Sequence, residues 1–417
     1  MVQTIRKYPA YKDSGVEWLG EIPEHWKKVK LNRVVFFQEG PGLRNWQFKD
    51  EGIKVICVTN ITPPSIDFSK MTKYISINEY NSKYLHFTVD RGDILLASSG
   101  ASWGKVSIYN SNEKVILNTS TIRLRTIDED KIENNIIRHI LASKYINLQI
   151  ENLITGSCQP NFGPTHLNKI FIVLPPIAEQ TAIANFLDTK TTQIENAIAI
   201  KQKQIELLKE RRQILIHRAV TRGLNPDVKL KVSGVEWIGE IPEHWEVKKM
   251  KYVLNINNGS DYKHIQTDTG YPVIGSGGQF AYASEYMYDG EVVFLGRKGT
   301  IDKPLYFNGK FWAVDTMFYA LPKANNNVKF LFFVSTTIPF KLYSTSTALP
   351  SMTQSDLNNH VIALPSIDEQ QLIVSYIENI DRKISTAISL KEKEIEKLKE
   401  YKSVLINEAV SGKIKVN

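Results

Sequence analysis

The chain has 417 residues, 42% of them hydrophobic and 23% charged, with a formal net charge of +8 and a pI near 9.1. That is room for two or three domains, and the longest apolar runs, such as 171–176 and 330–334, are too short to span a membrane. The first residues have no apolar signal core, and the two cysteines, Cys57 and Cys158, exclude a zinc ribbon or disulfide scaffold and point to a reducing, cytoplasmic setting.

In chain order, the first recognisable stretch is SGVEWLGEIPEHW at 14–26, which returns at 233–245 as SGVEWIGEIPEHW with a single change. A repeat of this kind comes before any other reading of the chain. The segment 27–173 that follows reads as short β-rich runs: IKVICVTNI (53–61), GDILLAS (92–98) and TIRLR (121–125), with one helix expected over 131–152. Next comes LPPIAEQTAIANFL (174–187), which returns as LPSIDEQQLIVSYI (364–377).

Beyond each of these entries the apolar residues alternate four and three apart. In the first copy Leu187, Ile194, Ile198, Ile205, Leu208, Leu215 and Ala219 form a seam, interrupted by Thr191, Lys201 and Arg212. In the second, Ile377, Ile384, Ile388, Ile395, Leu398, Leu405 and Ala409 repeat it, with Asp381, Lys391 and Lys402 at the same interruptions. This is the pattern of two long helices that pair, and a pseudo-twofold repeat makes the pair antiparallel. Gly223 and Gly412 are the stop signals.

Between the helices lie NPDV (225–228), the second start, and a second variable segment, 246–363. Its expected strands are YPVIGSG (271–277), GEVVFLG (290–296) and FWAVDTMFYAL (311–321), with NVKFLFFVSTT (327–337) as the counterpart helix. The expected fold class is therefore α+β: two mixed domains with β-rich cores, 1–173 and 225–363, joined by helices at 174–224 and 364–417. Lys and Arg outnumber Asp and Glu by 19 to 13 in 27–173 and by 11 to 9 in 246–363, so the variable segments carry the whole +8. A basic excess placed there points to a polyanion partner.

Faint matches between the variable segments single out candidate DNA-contacting loops. QEGPGLRNW (38–46) parallels NNGSDYKHI (257–265), GDILLASSGASWGK (92–105) parallels GEVVFLGRKGTIDK (290–303), and TGSCQPNF (155–162) parallels TSTALPSM (345–352). The polar residues in and beside them are Arg44, Asn45, Lys49, Ser99, Ser102, Lys105, Gln159 and Asn161 in the first segment. In the second they are Asn258, Ser260, Lys263, Arg297, Lys298, Thr300 and Ser351. These are side chains able to donate to phosphates and to base edges.

Catalytic readings fare poorly. There is no GxxxxGK[ST], and NPDV lacks the second proline and aromatic of an adenine-methyltransferase motif. Asp227 with Glu246 and Lys248 has the outline of a Mg²⁺-dependent nuclease, but Tyr8, Lys27 and Val29 stand at those places in the first copy. His25 and His244 are expected to be satisfied packing residues rather than metal ligands. Trp18, Trp26, Trp237 and Trp245 are expected either to clamp each domain start to the helices or to form a docking surface.

The two starts, the LPPIAEQ and LPSIDEQ helix entries and the RAVTRG and EAVSGK exits, interleaved with dissimilar segments, resemble the specificity (S) subunit of type I restriction-modification systems along the whole chain. The resemblance implies two target recognition domains, each reading half of a split, asymmetric site in double-stranded DNA, with an antiparallel coiled coil setting the spacer. It further implies two methyltransferase (M) subunits, restriction (R) subunits, and S-adenosylmethionine, ATP and Mg²⁺ held by those partners rather than by this chain. A stand-alone nuclease and a coiled-coil adaptor with no DNA role are the alternatives.

Overall fold

The computed structural model describes residues 6–16, 19–69, 71–154, 161–323, 325–343 and 350–416. The chain forms two compact units. The first contains Met1–Ile200 together with Lys393–Asn417, and the second contains Lys201–Glu392.

In the first unit, strands Tyr11–Asp13 and Glu21–Pro23 pair antiparallel around the repeated start. The next strand, Lys27–Lys30, pairs antiparallel with Phe171–Leu174. The variable segment therefore leaves and returns at one place, and its length can change without disturbing its base. Inside it, one four-stranded sheet has the order Val106–Ile108, Ile94–Ala97, Thr121–Thr126, Val35–Glu39. A second has the order Lys73–Ile75, Ile53–Ile56, Val115–Leu117, Thr88–Val89. Arg123, only 6% exposed, ties them together: it donates to Gln38 Oε1 at 2.8 Å and to the Thr88 carbonyl, with Asp93 at 3.8 Å.

Instead of one helix over 131–152 there are two, Asn134–Leu141 and Lys144–Leu153. The break has a local cause. Ser143 is extended (φ −79°, ψ 151°), and the freed Tyr145 amide is capped by Asn407 Oδ1 at 3.1 Å. An amide at a helix start lacks an intrahelical acceptor, and Asn407 supplies one.

The second unit repeats the base: Leu230–Val232 pairs with Glu240–Pro242, and Glu246–Lys249 pairs with Val361–Leu364. Its variable segment is built differently, as one seven-stranded sheet. The order is Leu254–Asn258, Met317–Pro322, Tyr288–Gly296, Leu305–Ala313, Tyr271–Gly275, Gly278–Ala283, Gln266–Thr267. The run expected at 311–321 is two strands separated by a turn at 314–316, and Val328–Ser335 is the helix over it.

The long helices are Ile177–Arg222 and Ile367–Val410, each extending past the predicted seam at both ends. Each gives one part to each unit. In the first unit, Glu179 at one helix entry and Gly412 beyond the other helix's exit both lie at the repeated start, beside His25 and Trp26 respectively. In the second, Glu369 and Gly223 both meet Trp245. Within each unit, then, the two helix segments run in opposite directions. None of the twenty seam positions is exposed, whereas Ile200, Leu207, Ile214 and Leu390 are each more than half exposed.

Candidate nucleic-acid interface

The repeated residues turn out to be joints. His25 Nε2 lies 2.9 Å from Glu179 Oε2, and His244 Nε2 lies 2.9 Å from Glu369 Oε1. The neighbouring glutamines are buried. Gln180 donates to the Pro175 and Lys131 carbonyls and accepts from the Glu133 amide, which is the N-cap of the first domain helix. Gln370 donates to the Pro365 carbonyl and Asn326 Oδ1 and accepts from the amide of Asn327, the N-cap of Val328–Ser335. Burial works to raise the Glu369 carboxyl, but hydrogen bonds from His244, Trp245 and Ser366 prevail and leave it below the usual carboxylate range.

Trp26 and Trp245 are fully buried in these joints, so the docking-surface alternative fails for both. Both lie against the glycines beyond the helix exits: a Cβ at Gly412 would sit 3.2 Å from the Trp26 ring, and one at Gly223 would sit 3.2 Å from that of Trp245. Trp237 is stacked on His360 with centroids 5.4 Å apart, and Trp18 lies outside the described residues.

From this base the strands carry the candidate loops. Val35–Glu39 ends at Gly40, whose Cβ, were there one, would meet the Asn118 carbonyl oxygen at 2.3 Å. Leu254–Asn258 ends at Gly259, where the same clash is with the Val314 carbonyl oxygen at 2.0 Å. Only glycine allows either approach. Across it, Gly40 N–H donates to Thr121 O at 3.0 Å and Gly259 N–H to Met317 O at 3.0 Å, so one turn against another is the shared device.

The other two candidate loops join the same place. In the first unit the Ser98 amide donates to Ser120 O, the Phe162 amide to Ser98 O, and Ser99 pairs with Asn161 in an isolated bridge. In the second unit the Arg297 amide donates to Thr316 O, the Met352 amide to Arg297 O, and Lys298 pairs with Ser351. The described residues of loops matched only faintly in sequence therefore occupy matched places.

Arg44, Asn45 and Lys49 are exposed on a separate turn a few residues beyond Gly40, and Lys105, Asn161, Asn258, Ser260, Lys263 and Lys298 are exposed as well. Ser99, Ser102, Thr300 and Ser351 are half-buried. Arg297 is also half-buried and donates to the Asp315 carbonyl at 3.3 Å, so part of its guanidinium is already engaged. Gln159 lies outside the described residues.

Three features at these loops were not singled out from sequence. Ser120 has φ 61° in the turn that seats Gly40, and its amide donates to Glu39 Oε1 at 3.1 Å. Trp46, 73% exposed, projects between Arg44 and Lys49, and the exposed Phe280 stands edge-on to Tyr262. Trp46 closes the stretch 38–46, and Arg44 before it and Lys49 after it are the signal the sequence offers.

The nuclease reading gains no geometry. Glu246 is paired with Lys248 at 2.5 Å, whose hydrogen bond holds its carboxyl below the usual range, and Asp227 is exposed in a turn after the first long helix. Among the described residues no three His, Cys, Asp or Glu side chains are placed to share a metal ion, and no helix is long and apolar enough to cross a membrane.

The family model for the type I restriction modification DNA specificity domain matches residues 23–209 and again 242–400. A Methanocaldococcus jannaschii chain inferred to be the type I restriction enzyme MjaX specificity subunit is 27% identical, with 95% of this chain and 96% of that one covered. The type I restriction enzyme EcoKI specificity subunit of Escherichia coli is 22% identical, covering 89% and 86%. Among solved structures, a chain from a study of assembly and conformational transition of the type I R-M system aligns with TM-score 0.70 at 15% identity, over 93% of this chain and 98% of that one. The HsdS subunit of Thermoanaerobacter tengcongensis aligns with TM-score 0.52 at 15% identity, over 96% and 99%.

Proposed function

The chain belongs to the type I restriction-modification DNA specificity family, and from that membership we propose that each unit reads one half of a split, asymmetric site in duplex DNA. The chain is a specificity subunit and not itself a catalyst. Its role is to direct adenine methylation, or cleavage, by M and R subunits that hold S-adenosylmethionine, ATP and Mg²⁺. The long helices pair as an antiparallel coiled coil, and their length sets the unread gap between the half-sites.

The observation that carries this reading is the matched placement of three loops on two different sheets. The Gly40, Ser99 and Asn161 loops meet through main-chain hydrogen bonds in the first unit, as the Gly259, Lys298 and Ser351 loops do in the second. A repeated base holding a different β-sheet arrangement in each unit is what two reading heads for two different sequences require. Lys49, Lys105, Lys263 and Lys298 supply salt-dependent phosphate contacts, and Arg44, Asn45, Asn161, Asn258 and Arg297 supply donors for base edges. Gln159, Ser99, Ser102, Ser260, Thr300 and Ser351 complete the two surfaces.

The test is to co-express the chain with its methyltransferase partner and map methylated adenines across the host genome. A bipartite, non-palindromic motif with a fixed gap is the expected result. An assembled complex that adds no methylation in the presence of methyl donor would overturn the reading.

A further inference from the structure

Each proposed reading surface presents an aromatic side chain to water beside its basic loop, and the two are not copies of one another. In the first unit it is Trp46, 73% exposed on the short turn Asn45–Gln47. The residue matched to it in the second unit is Ile265, which is buried at 8%. There the aromatic comes instead from the strand Gly278–Ala283: Phe280 is 56% exposed and packs edge-on to Tyr262, with centroids 5.4 Å apart, immediately before Lys263. Dissimilar sequences thus present the same pairing of a basic loop with an exposed aromatic ring.

The turn that carries Trp46 is held firmly. Gln47, 5% exposed, accepts from the Arg44 amide at 2.9 Å and donates to the Tyr84 hydroxyl at 3.0 Å. On either side, Leu43 and Phe48 pack into the small core beneath, and the Lys49 amide is bonded to Tyr74 O. Trp46 is therefore presented, not left over. A large apolar surface kept in water on a preorganised turn, between an Arg-Asn pair and a Lys, suits a partner with flat apolar faces inside a charged shell.

We propose that Trp46 in the first unit and Phe280 in the second pack against nucleobases of their half-sites, supplying apolar readout that the charged neighbours cannot. Apolar contact to a thymine methyl or a base face discriminates sequence without neutralising a phosphate. The inference rests on the DNA-reading assignment above.

The test uses the chain assembled with its methyltransferase partner and a duplex carrying the motif defined by methylation mapping. Trp46→Ala should weaken binding about tenfold, the scale of losing one aromatic–base contact. The slope of log affinity against log salt should stay unchanged, whereas Lys49→Ala should reduce that slope by about one. Trp46→Phe should restore most of the affinity, which separates a ring contact from a folding defect. In the host genome, Trp46→Ala should relax the motif in one half only, and Phe280→Ala in the other. Wild-type affinity and motif for both alanine variants would overturn the inference and leave the assignment standing. Absence of salt-sensitive DNA binding by the wild-type complex would overturn both.

Discussion

Gln180 and Gln370 show how much a single side chain can be asked to do. Each is nearly inaccessible and uses its amide in both senses, to hold the chain before its long helix and the N-cap of a domain helix. Replacing either by alanine strands buried main-chain groups, at a cost of about 1–3 kcal/mol. Hydrogen exchange should show the loss as faster opening of Asn134–Leu141 for Gln180→Ala and of Val328–Ser335 for Gln370→Ala. His360 gives a second prediction. It is 4% exposed, its Nδ1 lies 2.8 Å from the Tyr343 hydroxyl oxygen, and burial pushes its pKa down to about 4. An unfolded histidine titrates near ~6.5, so the unfolded state takes up the proton first. The contribution is fully present above that value and drains away as pH falls from there towards 4, by up to ~1.4 kcal/mol per pH unit. The urea midpoint of the second unit should fall between pH 7 and pH 5, and His360→Gln should flatten that fall. None of this was legible from sequence. The EQ pair could be seen to repeat, but what a glutamine bonds to 43 or 47 residues away depends on the finished fold.

The elements whose period comes from their own sequence were readable, and those decided by distant partners were not. The helix seams follow from spacing alone, and their twenty positions are turned inward as the spacing requires. The single helix expected over 131–152 failed because Asn407, far along the chain, offers the cap that makes a break at Ser143 stable. TIRLR was read as a strand, yet its Arg123 is a buried tie between two sheets, a role that charge patterning hides. The turns after Val35–Glu39 and Leu254–Asn258 are marked in the sequence by Gly40 and Gly259, while the exposed rings beside them have no periodic signal. The joints at Trp26 and Trp245 predict that either tryptophan changed to alanine costs about 3–5 kcal/mol, read as a loss of exchange protection in its own unit. At the helix level, four residues inserted into one long helix add about one turn, or ~6 Å. The methylated motif should then keep both halves and change only its gap. Altered halves with an unchanged gap would refute the helices as the spacer.

Taken as a whole, the molecule's units do not follow the order of its sequence. The first is completed by Lys393–Asn417, whose Leu405, Ile406, Ala409 and Val410 sit in the core with Trp26 and Ile183. Deleting 393–417 should therefore abolish exchange protection in the strands around Trp26, near the opposite end of the sequence, and affect the seven-stranded sheet far less. Protection lost first in the sheet would show that the units are not the cooperative bodies described. The same closure brings the ends of the described chain together: Arg6 bridges to Lys415, with the Lys415 amide 2.7 Å from the Arg6 carbonyl oxygen. Two residues more than four hundred positions apart in sequence are thus hydrogen-bonded neighbours, and a short covalent connection between them should cost the fold little. Joining the ends through a short linker and reopening the chain in the exposed turn at 225–227 should yield a protein with its halves in exchanged order and its contacts intact.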